Sequence, residues 1–213
     1  MTTDGKTEVF ELVLESVSKS YGARQVLRSV SATVRTGQVL AITGPNGSGK
    51  STLIKAVCRL IRPTHGRILW KLGGKEVPAE ARRKIIGFVS PDLMFYDELT
   101  AAENLRFFAQ VRGMKIADED IESALDSLHL GGRGSDVVGS YSSGMKQRLK
   151  YAYALQHDPP LLLLDEPTAN LDTQGVSLVH DLIEDSKRSK CIVIATNEPE
   201  EVGLGDIVIK LGE

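Results

Sequence analysis

Nine consecutive residues, Gly44–Thr52, read GPNGSGKST, and they carry the most specific chemistry in the chain. Gly44, Gly47 and Gly49 leave out side chains where main-chain N–H groups must close around an anionic phosphate chain, with Pro45, Asn46 and Ser48 completing the loop. Lys50 is placed to reach the β- and γ-phosphates, the Ser51 hydroxyl to sit on Mg²⁺, and Thr52 to add a further donor. The second half of such a site is the run LLLLDEPTANLD, residues 161–172. An apolar strand that ends in Asp165 delivers a carboxylate to the carboxyl edge of a sheet, where it can hold the metal through water. Glu166 follows directly, and a carboxylate there can polarise the water that attacks a γ-phosphate.

These residues need elements to position them. VLAIT (39–43) precedes the glycine-rich loop and is apolar throughout, as are LLLLD (161–165), CIVIAT (191–196) and most of DIVIKL (206–211). Continuous apolar runs of this length suit strands covered on both faces, the situation of parallel sheets in α/β folds. VFELVLESVS (9–18) and VLRSVSATV (26–34) alternate instead, which predicts half-buried, antiparallel strands near the start. Helical periodicity is expected over Lys50–Leu60, Ala101–Val111, Asp118–Leu128, Ser143–Gln156 and Gly175–Ser186. Thr100 with Glu103 is a capping-box signature for the second of these. Residues 92–158 are mostly helical while both flanks are strand-rich, so a helical subdomain inserted into an α/β core (8–91 and 159–213) of one 213-residue domain is expected.

Composition narrows the function classes. A chain of 213 residues can bury roughly 70% of its unfolded surface, so a full core needs no staples. Twenty-six basic against twenty-eight acidic side chains give a net charge of −2, which disfavours nucleic acid as a partner. The opening MTTDGKTE has no apolar stretch after its charges, and no apolar run approaches the ~18 residues of a membrane span, so a cytoplasmic chain is expected. Cys58 and Cys191 lie in apolar runs and read as small hydrophobes; His65, His129, His157 and His180 show no ligand spacing.

With these two motifs and YSSGMKQRL (141–149), the chain resembles the nucleotide-binding subunit of an ATP-binding cassette (ABC) transporter, from Tyr21 to Leu211. The resemblance implies a P-loop NTPase core with ATP and Mg²⁺ as ligands. It makes SSGMK similar to the family's signature sequence, so that Ser142, Ser143 and Gly144 would bind the ATP of a second nucleotide-binding subunit in an ATP-dependent dimer. Read alone, Ser142 and Ser143 are an ordinary helix N-cap. The resemblance likewise gives Tyr21 to adenine stacking with Val26 as an apolar floor, where Tyr21 by itself reads as a strand-edge aromatic. Asp172 falls in the loop that would cross the dimer interface. A transmembrane permease is the implied partner, at the inner face of the cell membrane, with export as the work done; a non-transport membrane complex for signalling or envelope maintenance is the alternative.

Two positions depart from the family pattern. Pro91 stands where the family carries a glutamine near the metal, with Asp92 beside it as a candidate water-mediated metal ligand, or with Pro91 simply fixing the loop. Asn197 stands where the family has a histidine on the γ-phosphate. Asparagine keeps an N–H donor of similar reach but carries no charge and shuttles no proton. A lost donor of that kind would cost about 10²–10³ in rate, so a retained one costs less. A slow or partner-dependent ATPase is the expectation. Phe95 and Tyr96 follow in a loop that would either meet the permease or pack under the helices.

Overall fold

A computed structural model describes residues 8–212, so the amino-terminal stretch read for a leader lies largely outside the described residues. The chain opens with a long hairpin, β1 (Phe10–Tyr21) and β2 (Arg24–Arg35), turned at Gly22, whose φ of 57° is in the left-handed region. Strand β3 (Val39–Thr43) then runs into the glycine-rich loop and α1 (Lys50–Val57). Strands β4 (His65–Leu72), β5 (Lys75–Glu76) and β6 (Ile86–Val89) follow, then three helices, α2 (Ala101–Val111), α3 (Asp118–Asp126) and α4 (Ser143–Leu155). The chain returns to the sheet with β7 (Leu161–Asp165), α5 (Thr173–Lys187), β8 (Cys191–Ala195), α6 (Pro199–Gly203) and β9 (Ile207–Lys210).

Two sheets result. An antiparallel sheet has the order β2-β1-β4-β5, and a parallel sheet has the order β6-β7-β8-β3-β9. Pleating explains why the parallel strands are apolar at every position. Leu40 and Ile42, Leu161 and Leu163, and Cys191, Val193 and Ala195 join a core shared with the antiparallel sheet and α1. Their neighbours Val39, Leu162, Leu164, Ile192 and Ile194 join a second core against α2 to α5. Each fully buried leucine of β7 contributes about 1.5–3 kcal/mol, so this interior strand is anchored from both faces.

Several boundaries differ from the sequence reading. Strands β4, β5 and β6 and the short α6 were not anticipated. Strand β9 is an edge strand rather than one covered on both faces, with Val208 45% exposed. Helix α1 stops at Val57, not Leu60, because Arg59 adopts φ 63° and closes a Schellman turn: the Leu60 N–H reaches the Lys55 carbonyl and the Arg59 N–H that of Ala56. His129, at φ 55°, ends α3 two residues early in the same way. The capping box at the start of α2 is present in both halves, Thr100 Oγ1 accepting from the Glu103 N–H and Glu103 accepting from the Thr100 N–H. Both cysteines are unpaired thiols, and burial pushes the Cys58 thiol up to about 12 and that of Cys191 up as well, which removes thiolate chemistry at neutral pH.

Candidate functional site

The glycine-rich loop leaves β3 at the carboxyl edge of the parallel sheet. A Cβ on Gly44 would stand 2.3 Å from the Leu211 carbonyl oxygen, and one on Gly49, at φ 106°, would stand 2.8 Å from Val26 Cγ1, so neither position admits a side chain. The intervening backbone is tied by the Ser48 N–H to the Pro45 carbonyl at 3.0 Å. Lys50, only 6% exposed, folds back across the loop and donates to the carbonyls of Gly44 at 2.7 Å and Pro45 at 3.4 Å. Its ammonium is therefore held in the mouth of the loop by neutral acceptors, which an oxyanion would outbid by charge.

Across the sheet edge, two strands away, β7 presents its carboxylates. Ser51 Oγ donates to Asp165 Oδ1 at 3.2 Å, which joins the first residue after the loop's lysine to the tip of β7. Burial pushes the Asp165 carboxyl above its ordinary value, opposed by the Ser51 hydrogen bond and assisted by the neighbouring Glu166 charge. Glu166 is exposed and adopts φ 51°, a conformation that strains a side-chain-bearing residue by about 1–2 kcal/mol. The surroundings hold it there. Its N–H donates to the Ala195 carbonyl at 2.9 Å, and the carbonyl of the next residue, Pro167, accepts from both Gln147 Nε2 at 2.9 Å and the buried Tyr151 hydroxyl at 2.8 Å. Those two donors stand one turn apart on α4, a face that sequence spacing shows but whose acceptor it does not.

A cleft of about 600 Å³ collects Tyr21, Val26, Asn46, Lys50, Ser51, Thr52 and Glu166, with Arg24 added from the start of β2. Tyr21 is 52% exposed, with the Lys19 ammonium 5.0 Å from its ring centre. A second cavity of about 740 Å³ adjoins it, sharing Asn46 and Glu166 and continuing past Thr196, Asn197, Glu201 and His180. Asn197 Nδ2 donates to Asn46 Oδ1 at 2.9 Å. His180, given no role from its spacing, lines this wall, and its Nε2 is buried with no hydrogen-bond partner among the described residues.

The remaining predicted residues lie elsewhere. Ser142, Ser143 and Gly144 stand at the start of α4 outside the cleft of their own chain, and Ser142 Oγ accepts from the Met145 N–H at 3.2 Å. Asp172 caps α5 through the Gly175 N–H at 2.8 Å. Asp92 has a side chain 74% exposed, and its carboxylate pairs with Lys55 Nζ at 2.8 Å, which holds it below the usual carboxylate range, while its own charge helps raise the Asp165 carboxyl. The loop at Pro91 is tied to α4 by Lys150 Nζ, which donates to the carbonyls of Ser90 at 2.9 Å and Pro91 at 3.2 Å. Phe95 packs edge-on against Phe108 and Tyr153, while Tyr96 remains 49% exposed against Phe107.

Hydroxyl and carboxylate oxygens are the donor set of a hard divalent ion, and among the described residues no cluster of three or more His, Cys, Asp or Glu offers a fuller cage. Mg²⁺ fits such a site because it takes few protein ligands and completes its shell with water and phosphate oxygens. A glycine-rich loop between a parallel strand and a helix, facing a strand-end carboxylate through a serine hydroxyl, defines a P-loop nucleoside triphosphatase. The family model described as ABC transporter matches residues 27–169, more than half of the chain, and the protein belongs to that family as an ATP-hydrolysing cassette. It is 34% identical over 207 residues to the uncharacterized ABC transporter ATP-binding protein YdbJ of Bacillus subtilis, covering 95% of this chain and 67% of that one. It is 35% identical over 192 residues to the lantibiotic transport ATP-binding protein SrtF of Streptococcus pyogenes, covering 90% and 82%. Among solved structures, an ATP-binding subunit of an ABC transporter superposes with a TM-score of 0.81 at 28% identity over 94% of this chain and 85% of that one. A dimeric bacterial ABC transporter cassette does so at 0.81 and 26%, over 94% of both chains.

Proposed function

We propose that this chain energises a separate transmembrane exporter by binding and hydrolysing ATP at the Gly44–Thr52 loop. The observation that carries the reading is the 3.2 Å contact of Ser51 with Asp165, directly beside Glu166 at the mouth of that loop. Relatives named for lantibiotic transport, linearmycin resistance and Nod factor export support export as the direction of work. No helix among the described residues is long and apolar enough to cross a membrane; in this reading a permease partner provides the translocation path, with this subunit at the membrane's inner face.

In this mechanism the loop N–H groups and Lys50 hold the β- and γ-phosphates, and Tyr21 and Val26 receive the base. Ser51 and Asp165 would hold Mg²⁺, whose charge offsets that of the phosphates. Glu166 accepts a proton from the attacking water, and Asn197 donates to the γ-phosphate. Ser142–Gly144 of a second copy close over the nucleotide, with Asp172 at the crossing loop and residues 92–158 moving as a helical subdomain. That exposed N-terminus suits the role, since it lies outside its own chain's cleft. The test is ATP turnover by the lipid-reconstituted subunit pair against Glu166→Gln. A drop of at least about 10²-fold with nucleotide binding retained is expected; equal turnover in the variant would remove Glu166 as the base and with it this reading.

A further inference from the structure

The main chain is held on both sides of Asn197. The Thr196 N–H donates to the Ile42 carbonyl at 3.0 Å, and the Glu198 N–H to Thr196 Oγ1 at 2.9 Å. With the main chain fixed, the freedom left at Asn197 is rotation of its exposed side chain: turned one way the amide offers N–H donors to a phosphate, turned the other it offers a repelling oxygen. In the structure Asn197 Nδ2 donates to Asn46 Oδ1 at 2.9 Å, an arrangement in which one N–H of the amide is taken up by Asn46 and the second stays on the same nitrogen. Asn46 is the residue suited to do this, since it lines both the nucleotide cleft and the adjoining cavity, whereas Asn197 lines only the latter.

We infer that Asn46 is a positioning residue for Asn197, fixing the donor end of its amide for the third phosphate, so that the pair discriminates nucleoside triphosphate from diphosphate. The inference rests on the assignment of Asn197 to the γ-phosphate. The loop itself does not need the Asn46 side chain: Ser48 N–H on the Pro45 carbonyl, Lys50 on the carbonyls of Gly44 and Pro45, and Gly49 against Val26 hold its shape.

The experiment measures equilibrium affinities of the full chain for Mg²⁺ with ADP and with a non-hydrolysable ATP analogue, in Asn46→Ala, Asn197→Ala and the double variant. The expected result is a triphosphate-to-diphosphate preference lowered about three- to tenfold by Asn46→Ala, the size of one net hydrogen bond, read as the ratio of the two affinities. In the Asn197→Ala background, Asn46→Ala should have no further effect. Equal losses for both nucleotides would mean that Asn46 merely shapes the loop and would overturn the inference, as would additive losses in the double variant. If Asn197→Ala leaves the preference unmoved, the γ-phosphate assignment fails instead.

Discussion

The strained backbone at Glu166 is held from below by α4, and removing that hold should show a particular pattern. The Pro167 carbonyl accepts two hydrogen bonds, from the Tyr151 hydroxyl at 2.8 Å and Gln147 Nε2 at 2.9 Å. Tyr151→Phe removes one donor and leaves the carbonyl satisfied by the other, so it should cost about 0.5–1.5 kcal/mol; Gln147→Leu should cost a similar amount. The double substitution differs in kind. It strands a carbonyl between two side chains that are 0% and 4% exposed, so the desolvation penalty of about 1–3 kcal/mol adds to the two single losses. Urea unfolding of the four proteins should therefore give a double variant less stable than the sum of the singles by at least about 1 kcal/mol. Because Pro167 directly follows Glu166, the double variant, while still folded, should also lose about tenfold in turnover with little change in nucleotide affinity. Additive stabilities, or full turnover in the double variant, would refute the idea that α4 holds the catalytic turn.

Two further outcomes follow from ionisation. Burial pushes Asp165 above its ordinary pKa, so its charge opposes folding, an effect absent at low pH that grows as pH rises through the carboxylate range. Asp165→Asn should therefore raise the melting temperature of the metal-free protein at neutral pH while abolishing Mg²⁺-dependent hydrolysis; a lowered melting temperature would contradict this. His157 is depressed to about 4 by burial and by Arg112, with Lys190 acting in the same sense and the Ile86 carbonyl and Asp158 opposing. A depressed histidine contributes stability that is whole above its unfolded pKa of about 6.5 and is lost as pH falls from there through about 4. Urea unfolding across that window should show a slope that His157→Gln flattens, and an unchanged slope would count against it.

The sequence made some of this plain and concealed the rest for physical reasons. The loop and the tip of β7 were legible because glycine spacing and an apolar run ending in a carboxylate are local patterns with one structural solution. Strand β6 was not, being four residues long and carrying Gly87, whose absent side chain makes room for the Ala154 carbonyl of α4. A close approach of that kind leaves no periodic trace. The Asn46–Asn197 bond joins residues 151 apart, so neither side chain advertises the other. The ion pair of Asp92 with Lys55, one turn into α1, was hidden in the same way, because the two residues lie 37 apart in sequence.

Pro91 shows how a departure from a family pattern can be absorbed by main chain. A glutamine at that position would present a rotatable amide; proline presents none and also lacks a backbone N–H. Its carbonyls help to hold the loop instead, and the ammonium of Lys150, 8% exposed on α4, donates to two of them. Lys150 is on the same helix as Gln147 and Tyr151, which grip Pro167, and as Ser142–Gly144 at its start. One helix thus fixes the loop at Pro91 and the turn at Glu166, and it opens with the residues proposed to meet a second copy. With no side-chain amide at Pro91, the 90–92 loop is coupled to α4 through its own carbonyls and the buried Lys150 side chain. Movement of α4 when two copies close would then reposition both edges of the site together, which is what a partner-dependent ATPase requires.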